Sequence, residues 1–491
     1  MLLIFMIFTL CACDGSYGTT DGTGSSTSST DNSATSTIPN ENEPVDYVFE
    51  TMPVIYVDCK NGAPVVSKEE YVDCEVTVSS CPDEFALENV SAGIRTRGNS
   101  SLPSDPINNQ APYRIKFDKK QSMLGLNNSA ECKSWVLLLP DIGNAISFFL
   151  GQSILVEDGY YCSDAQYVEL YLNGEYRGVY LLCEQSQINP ERVDVYETPK
   201  GFTGYETGYL LELNNYPEED EMSFYTNFGD VVLKDIEGGD LSWETLYTDG
   251  ENIHARYYTV KNDNLSDEQF NFIKKHLNNV FKIAYRAIIE GRYYELNSSF
   301  NLTKSNETDA KELLSRYFDL DSIVDSYIIQ EISMNTDVGA GSFFMSVDFS
   351  EDAESNKLTF ECPWDFNWAY YSNSRHIGER YEGLSAATFC SDDFWRANAS
   401  RKDRSNVWYI LFMRAEWFRD MVRERWTELD EAGVFDKSLE EIDFWIEAYS
   451  VEFEDNRKKW GTKWLATAQK TREWLENRYE WLENEFFTMD N

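Results

Sequence analysis

Two apolar stretches joined by an Asn-Gly pair constrain the fold more than any other feature of the sequence. Residues 167–172 and 176–182 are rich in Val, Leu and Tyr, and they flank Asn173-Gly174. Both central residues of a type I′ turn need a positive φ, which Asn and Gly tolerate, so the pattern predicts a β-hairpin. Other short apolar or alternating runs lie at 54–57, 75–78, 113–117, 135–139 and 208–213. Residues 46–215 are therefore predicted to form a β-rich lobe.

The pattern changes towards the C-terminus. Between 309 and 488 apolar residues recur every three or four positions, which is typical of amphipathic helices. The stretch between the two regions, 216–308, is acidic and irregular, and we interpret it as a variable insertion followed by a connecting helix at about 266–290. A chain of 491 residues exceeds one ordinary core. The predicted class is α+β, with a β-rich N-lobe and a mainly helical C-lobe.

The charge balance narrows the range of partners. Lys and Arg number 42 against 85 Asp and Glu, which gives a formal net charge of −43. Such a surface repels phosphates, so nucleic acid and anionic membranes are not expected partners. The sequence holds three histidines, which does not favour a His-rich zinc centre or a Ser-His-Asp triad.

The N-terminus has the features of an export signal. Residues 1–13 are almost entirely apolar and end in Leu10-Cys11-Ala12-Cys13, which resembles a lipobox with Cys13 as the lipidated residue. The Ser/Thr/Gly-rich stretch 14–45 is predicted to be a disordered tether. Secretion with cleavage near Ala12 is the alternative. Either way the chain is expected to be exported, and to meet a membrane only through that anchor. Eight cysteines follow Cys13, and their pairing stays open.

Five stretches, in order along the chain, carry a specific resemblance. They lie at 95–101, at 112–117 with 122–126, at 168–185, at 335–337 and at 363–367. Together they resemble the CotH kinase family, named for a spore coat protein. The resemblance implies a divergent protein-kinase-like fold of two lobes. It also implies transfer of the γ-phosphate of ATP to Ser or Thr of an extracellular or coat protein, with ATP and Mg²⁺ (or Mn²⁺) as cofactors.

Two aspartates are the candidates for chemistry. Asp365 follows an apolar strand-like run, and we assign it to Mg²⁺ with Asn367 as a helper, since Mg²⁺ prefers carboxylate and other oxygen ligands. By resemblance Asp337 matches the catalytic Asp that orients the acceptor hydroxyl, with Asn335 orienting it in turn. Each Asp could instead cap a turn or a helix end without any chemistry. Ordinary kinases have an Asn soon after the catalytic Asp, and here the nearest candidate is Ser342.

The candidate cations that would bind the phosphates lie on one predicted strand and in one predicted turn. Lys116 is the best candidate, and Arg114 projects to the same face because side chains alternate along a strand. Alternatively, both are solvated residues on a polar face. The turn at 97–100 could cradle phosphates through Arg97 and backbone N–H groups, with Asn99 and Ser100 as its other members. Glu184 stands where kinases place the adenine-contacting hinge, although a surface role is equally open.

Because the chain departs from ordinary kinases, two alternative functions stay open. The chain has no GxGxxG loop followed by a strand, no HRD and no APE, and the stretch 140–144 is shortened and lacks the Arg of the Arg-Asn pair that many relatives carry. The first alternative is a non-catalytic surface or coat-assembly protein with the same fold. The second is a glycoside hydrolase using Asp337 and Asp365, whose carboxyls would then be about 5 Å or about 6.5–9.5 Å apart across a sugar-sized cleft.

Overall fold

Seven strands of the N-terminal region close into a barrel in the order β1-β2-β3-β4-β5-β7-β6. The structure is a computed structural model that describes residues 47–98, 101–214, 221–225, 232–236, 240–242, 257–339, 341–371, 379–388 and 406–488. All neighbouring barrel strands are antiparallel except β1 and β6, whose parallel pairing completes the closure. The strands are β1 Val54–Cys59, β2 Val72–Ser79, β3 Leu87–Thr96, β4 Tyr113–Gln121, β5 Cys132–Leu138, β6 Ala165–Leu172 and β7 Glu175–Glu184.

Alternation along each strand separates the barrel interior from its outer face. Ile94, Ile115 and Trp135 point inward and are fully buried, whereas Arg95 and Arg114 stand on the outside. The predicted hairpin is confirmed as β6–β7, and both Asn173 (φ 53°) and Gly174 (φ 77°) have the positive φ of a type I′ turn.

A second sheet of five antiparallel strands follows the barrel, in the order β16-β15-β8-β12-β9. One face of it carries Leu211 and Met345 into the main helical core, while the other carries Leu210 and Phe344 into a smaller apolar cluster with Tyr161. Its strands are β8 Gly208–Asn214, β9 Ser223–Tyr225, β12 Tyr257–Val260, β15 Phe343–Asp348 and β16 Thr359–Glu361, and two small hairpins add β10 Val232–Lys234, β11 Asp240–Ser242, β13 Tyr294–Leu296 and β14 Leu302–Lys304.

Helices dominate the C-terminal region, as the 3.6-residue spacing predicts. The α-helices of five residues or more in the described chain are α1 Ile142–Gly151, which lies between β5 and β6, and then α2 Asp267–Ile288, α3 Ala310–Leu314, α4 Leu320–Ser333, α5 Val407–Phe412, α6 Glu416–Glu431, α7 Val434–Ala448, α8 Ser450–Trp460 and α9 Trp464–Thr488. The central one is α4, where an ion pair of 2.9 Å joins the fully buried Glu331 to Arg478 of α9. Within the described ranges, no helix has the length and apolar character needed to cross a bilayer.

The α+β class, with a strand-rich N-terminal and a helical C-terminal region, is confirmed, and some details differ from or lie beyond the prediction. The stretch 216–308 is not only a peripheral insertion, because β9 and β12 complete the second sheet. That sheet also takes β15 from the region predicted to be mainly helical, whereas β16 is the strand-like run predicted before Asp365. Residues 46–491 group as a single unit, so the division into two lobes stays a prediction. The predicted signal, Cys13 and the tether lie outside the described residues.

Candidate active site

Two loops that follow α4 and β16 carry the two candidate aspartates. Met334 ends α4 in the left-handed conformation (φ 47°), and Asp337 follows three residues later. Asp365 comes four residues after β16 and has a φ of 62°. Two hydrogen bonds join the loops: Tyr370 N–H donates to Ser333 O over 2.7 Å, and the Thr336 hydroxyl donates to Trp368 O over 3.1 Å. The fold therefore holds the two loops side by side.

The Asp337 loop is fixed from within. Asn335 is buried, and its Oδ1 accepts a hydrogen bond from the Asp337 N–H over 3.0 Å. Gly341 N–H donates to Asp337 O over 2.8 Å and closes the turn. Asp337 itself is only half-buried, so part of its side chain is accessible to solvent. Asn335 thus contacts the backbone of Asp337, and its predicted role in orienting the Asp337 carboxylate stays a prediction.

Asp365 lies in a strongly electrostatic environment. It is half-buried, and its carboxyl pKa rises from 3.8 to about 6, first because burial disfavours the charged form and next because of the negative charge of Asp337. Arg97 and a hydrogen bond from Ser342 act in the opposite direction. The structure thus brings together Asp337, Asp365 and Arg97, which are far apart in the sequence. Ser342 also has a positive φ (54°), so left-handed non-glycine residues cluster at this site.

Arg97 extends from the end of β3 towards the second sheet. Burial lowers its guanidinium pKa, while Cys183, Asp365 and Glu212 raise it. Its guanidinium lies 5.7 Å from the ring centroid of Trp364, the residue before Asp365, which is cation–π range. Asn99 and Ser100, the other members of the predicted phosphate turn, lie outside the described residues.

The N-terminus of α1 supports the Asp365 loop, a role that the sequence did not indicate. Asn144 is buried, and its Oδ1 accepts a hydrogen bond from the Phe366 N–H over 2.7 Å. A Cβ on Gly143 would lie 2.4 Å from Phe366 O, so a side chain at this position would displace the loop. Asp141 caps the helix by accepting hydrogen bonds from the N–H groups of Gly143 and Asn144. Burial raises its carboxyl pKa to about 6, and the negative charge of Asp365 adds to this rise, whereas the two capping bonds lower the pKa.

A basic strip crosses the outer face of the barrel beside Arg97. Arg95 and Arg114 are directly opposite each other on β3 and β4, and both are half-buried. Like charges in that arrangement are unfavourable without an anion. Among the described side chains, neither Nε atom finds a hydrogen-bond acceptor. Lys116 lies on the same face two residues beyond Arg114 and is exposed.

Glu184 is not the surface residue that one interpretation of the sequence allowed. It is fully buried at the end of β7 and forms an ion pair of 3.1 Å with Arg192. Its carboxyl pKa rises to about 7, because the burial penalty exceeds the effect of that arginine. Both oxygens already accept hydrogen bonds, from Arg192 and from the Asp164 N–H, so the side chain is committed to the fold rather than free for an adenine.

The remaining candidates concern metal and thiols. Asn367 is half-buried two residues after Asp365 in the same loop. In the described part of the chain, no three His, Cys, Asp or Glu side chains are grouped to hold a metal ion by themselves. The seven cysteines in this part are free thiols, and Cys390 lies outside it.

Comparison with known proteins identifies one family. The family described as "CotH kinase protein" matches residues 94–482, which is most of the chain and includes every site residue named above. A search of curated proteins gives no match.

Proposed function

The chain belongs to the CotH kinase family, and on that premise we propose that it is an atypical protein kinase. It transfers the γ-phosphate of ATP to Ser or Thr of an extracellular or cell-surface protein. The observation that carries the proposal is the convergence of Asp337, Asp365 and Arg97 at one place, from three distant segments. Phosphoryl transfer depends on positioning and charge stabilisation, which this combination of two anions and a cation supplies.

The residues present fit a divalent cation held jointly with a nucleotide. Mg²⁺ is usually bound by one or two carboxylates, with phosphate oxygens and water completing the octahedron. Asp365, with Asn367 in the same loop, would hold Mg²⁺ or Mn²⁺, and the ion would neutralise charge on the phosphates. The raised pKa of Asp365 supports this, because a half-buried carboxylate beside a second anion gains from a nearby cation. Asp141 adds a further negative charge to the same region.

Asp337 is proposed to act on the acceptor. Its side chain is half-buried, while its backbone is fixed by Asn335 and Gly341. Such a carboxylate can accept the hydrogen bond of a Ser or Thr hydroxyl and take its proton as the phosphoryl group is transferred. Fixing the loop in advance lowers the cost of orienting the acceptor.

The barrel face is proposed to hold the phosphates. Arg97 lies nearest to Asp365, and Arg114 and Arg95 continue the strip along the outer face. Arg95 donates to Lys68 O and Arg114 donates to Ser134 Oγ, which leaves further guanidinium N–H groups for the oxygens of a triphosphate, to which Arg binds in a planar, bidentate manner. Lys116 stands at the exposed end of this strip and can meet a phosphate only by extending back along the strand face.

The non-catalytic alternative keeps one argument, the missing Arg of stretch 140–144. Against it, Asn144 and Gly143 of that stretch hold the Asp365 loop by direct contact. The hydrolase alternative has no corresponding support, because a cationic Arg97 beside the carboxylates suits a phosphate better than a neutral sugar.

The test is phosphate transfer from labelled ATP to a generic protein acceptor, in Mg²⁺ or Mn²⁺. Wild type should label the acceptor, and Asp337→Asn and Asp365→Asn should lose roughly 10²-fold or more in rate. Asp352→Asn is the matched control, an exposed carboxyl of the loop after β15, and should behave as wild type. Equal labelling by all four proteins would overturn the proposal. MgATP binding without any labelling would do so too, in favour of the binding protein.

A further inference from the structure

Two cysteines face each other across the first two strands of the barrel. Cys59 is the last residue of β1, and the strand register places it directly opposite Cys74 of β2. Both are buried and belong to the apolar cluster inside the barrel, so their side chains point to the same side of the sheet. Cys132 and Cys183 also lie in strands, but their partners in the register are Gln121, Val136 and Ala165.

Hydrogen bonds of the β1 backbone show whether Cys59 and Cys74 form a hydrogen-bonded or a non-hydrogen-bonded pair. Cys59 N–H donates to Asn173 Oδ1 over 2.7 Å, and Val57 O accepts from Asn173 N–H over 2.9 Å. Both bonds run to the β6 side, away from β2. Since the N–H and C=O of one strand residue point the same way, Cys59 and Cys74 form a non-hydrogen-bonded pair. In such pairs the Cα atoms are about 4.5 Å apart and the side chains are closest.

That spacing is suited to a covalent link. Disulfides connect Cα atoms about 4.4–6.8 Å apart, so the bond needs rotation of the two side chains and no shift of the backbone. We propose that Cys59 and Cys74 are a dithiol pair that forms a disulfide between β1 and β2. Strand β1 closes the barrel by pairing with β6. The bond joins β1 to β2, its neighbour on the other side.

The chemistry needs a disulfide oxidant, for which oxidised glutathione serves. One thiolate attacks the oxidant and forms a mixed disulfide with release of reduced glutathione. The second thiolate displaces the other glutathione, so two protons leave the protein and two electrons pass to the oxidant. Burial raises the pKa of Cys59 to about 11 and that of Cys74 to about 12, which makes thiolate scarce in the folded barrel. The bond is therefore expected to form during folding and then to resist exchange.

The first experiment refolds the full chain from urea in a mixture of reduced and oxidised glutathione. Remaining thiols are alkylated in denaturant, and the unreduced protein is digested with trypsin. Cleavage after Lys60 and Lys68 separates the two cysteines. Cys11 and Cys13 share a peptide with Cys59, and Cys81 shares one with Cys74, so fragmentation must assign the bond. The expected product links Cys59 to Cys74. Alkylation of both, or a bond from Cys59 to any other cysteine, would overturn the proposal.

The second experiment measures stability in both redox states. Oxidised wild type should unfold at a higher urea concentration than the reduced protein, because the bond restricts the unfolded chain. The double variant Cys59→Ser/Cys74→Ser should lose this difference, whereas Cys81→Ser, the matched control, should keep it. A redox-dependent shift that persists in the double variant would assign the effect to other thiols.

Discussion

Replacing Asp365 by Asn should make the unliganded protein more stable while removing its activity. The carboxyl pKa lies at about 6 instead of 3.8 because the charged form is desolvated and faces Asp337. A tenfold change in proton affinity corresponds to about 1.4 kcal/mol, so the ionised carboxylate costs at most about 3 kcal/mol. Asn is nearly isosteric and keeps an oxygen for the Ser342 hydrogen bond. At pH values where the Asp365 carboxyl of wild type is ionised, Asp365→Asn should therefore raise the free energy of unfolding by up to about 3 kcal/mol.

The pH dependence of stability distinguishes this electrostatic effect of Asp365 from a change in packing. A carboxyl whose pKa is raised by folding binds more protons in the native than in the unfolded state between about pH 4 and pH 6. Stability of the wild type therefore falls across that interval and stays lowered above it. The advantage of Asp365→Asn should be absent below about pH 4 and complete above about pH 6.

The assay is urea unfolding at pH 4 and pH 8, with and without MgATP. At a nucleotide concentration 100 times the dissociation constant, binding should add about 2.7 kcal/mol to wild type and little to the variant. Asp352→Asn, at an exposed carboxyl of the loop after β15, controls for a general change in net charge. The reasoning is refuted if Asp365→Asn is less stable than wild type at pH 8 without nucleotide. An equal difference at both pH values would refute it as well.

Three further changes test the site. Asp337→Asn should lower kcat roughly 10²-fold or more at saturating ATP, and a loss confined to KM would contradict a role on the acceptor. Arg97→Met removes a cation that lowers the pKa of Asp365, so the acid limb of the pH–rate profile should move upward from about 6; an unmoved limb would argue against their contact. Asn144→Ala leaves the buried Phe366 N–H unpaired and should cost about 1–3 kcal/mol in urea unfolding, with reduced activity; unchanged stability would show that the loop is held otherwise.

Local chemistry explains what the sequence predicted of the fold. The β6–β7 hairpin follows from two residues that tolerate positive φ, and the helices follow from apolar spacing. Strand β3 was not predicted, because its sequence mixes Glu88, Asn89 and Ser91 with few apolar residues. Closure of the barrel depends on β1 pairing with β6, more than a hundred residues later, and no local pattern encodes that contact.

The same limit applies to the site. Asp337 and Asp365 stand out by motif, and the structure brings them together. The contact of Asn144 with Phe366 spans more than two hundred residues, and the only local signal was an Asp that caps the following helix. Burial of Glu184 depends on Arg192, which lies beyond the end of its strand. Long-range pairing of this kind has no counterpart in spacing or composition.

Closure of the barrel also bears on how copies of this chain can associate. A closed barrel has no unpaired strand at its edge, and an open sheet offers two. In the described part of the molecule, the outer strands of the five-stranded sheet are β9 and β16, each three residues long. Short edges offer few free backbone groups to a neighbouring molecule, so they give little opportunity for strand-to-strand polymerisation.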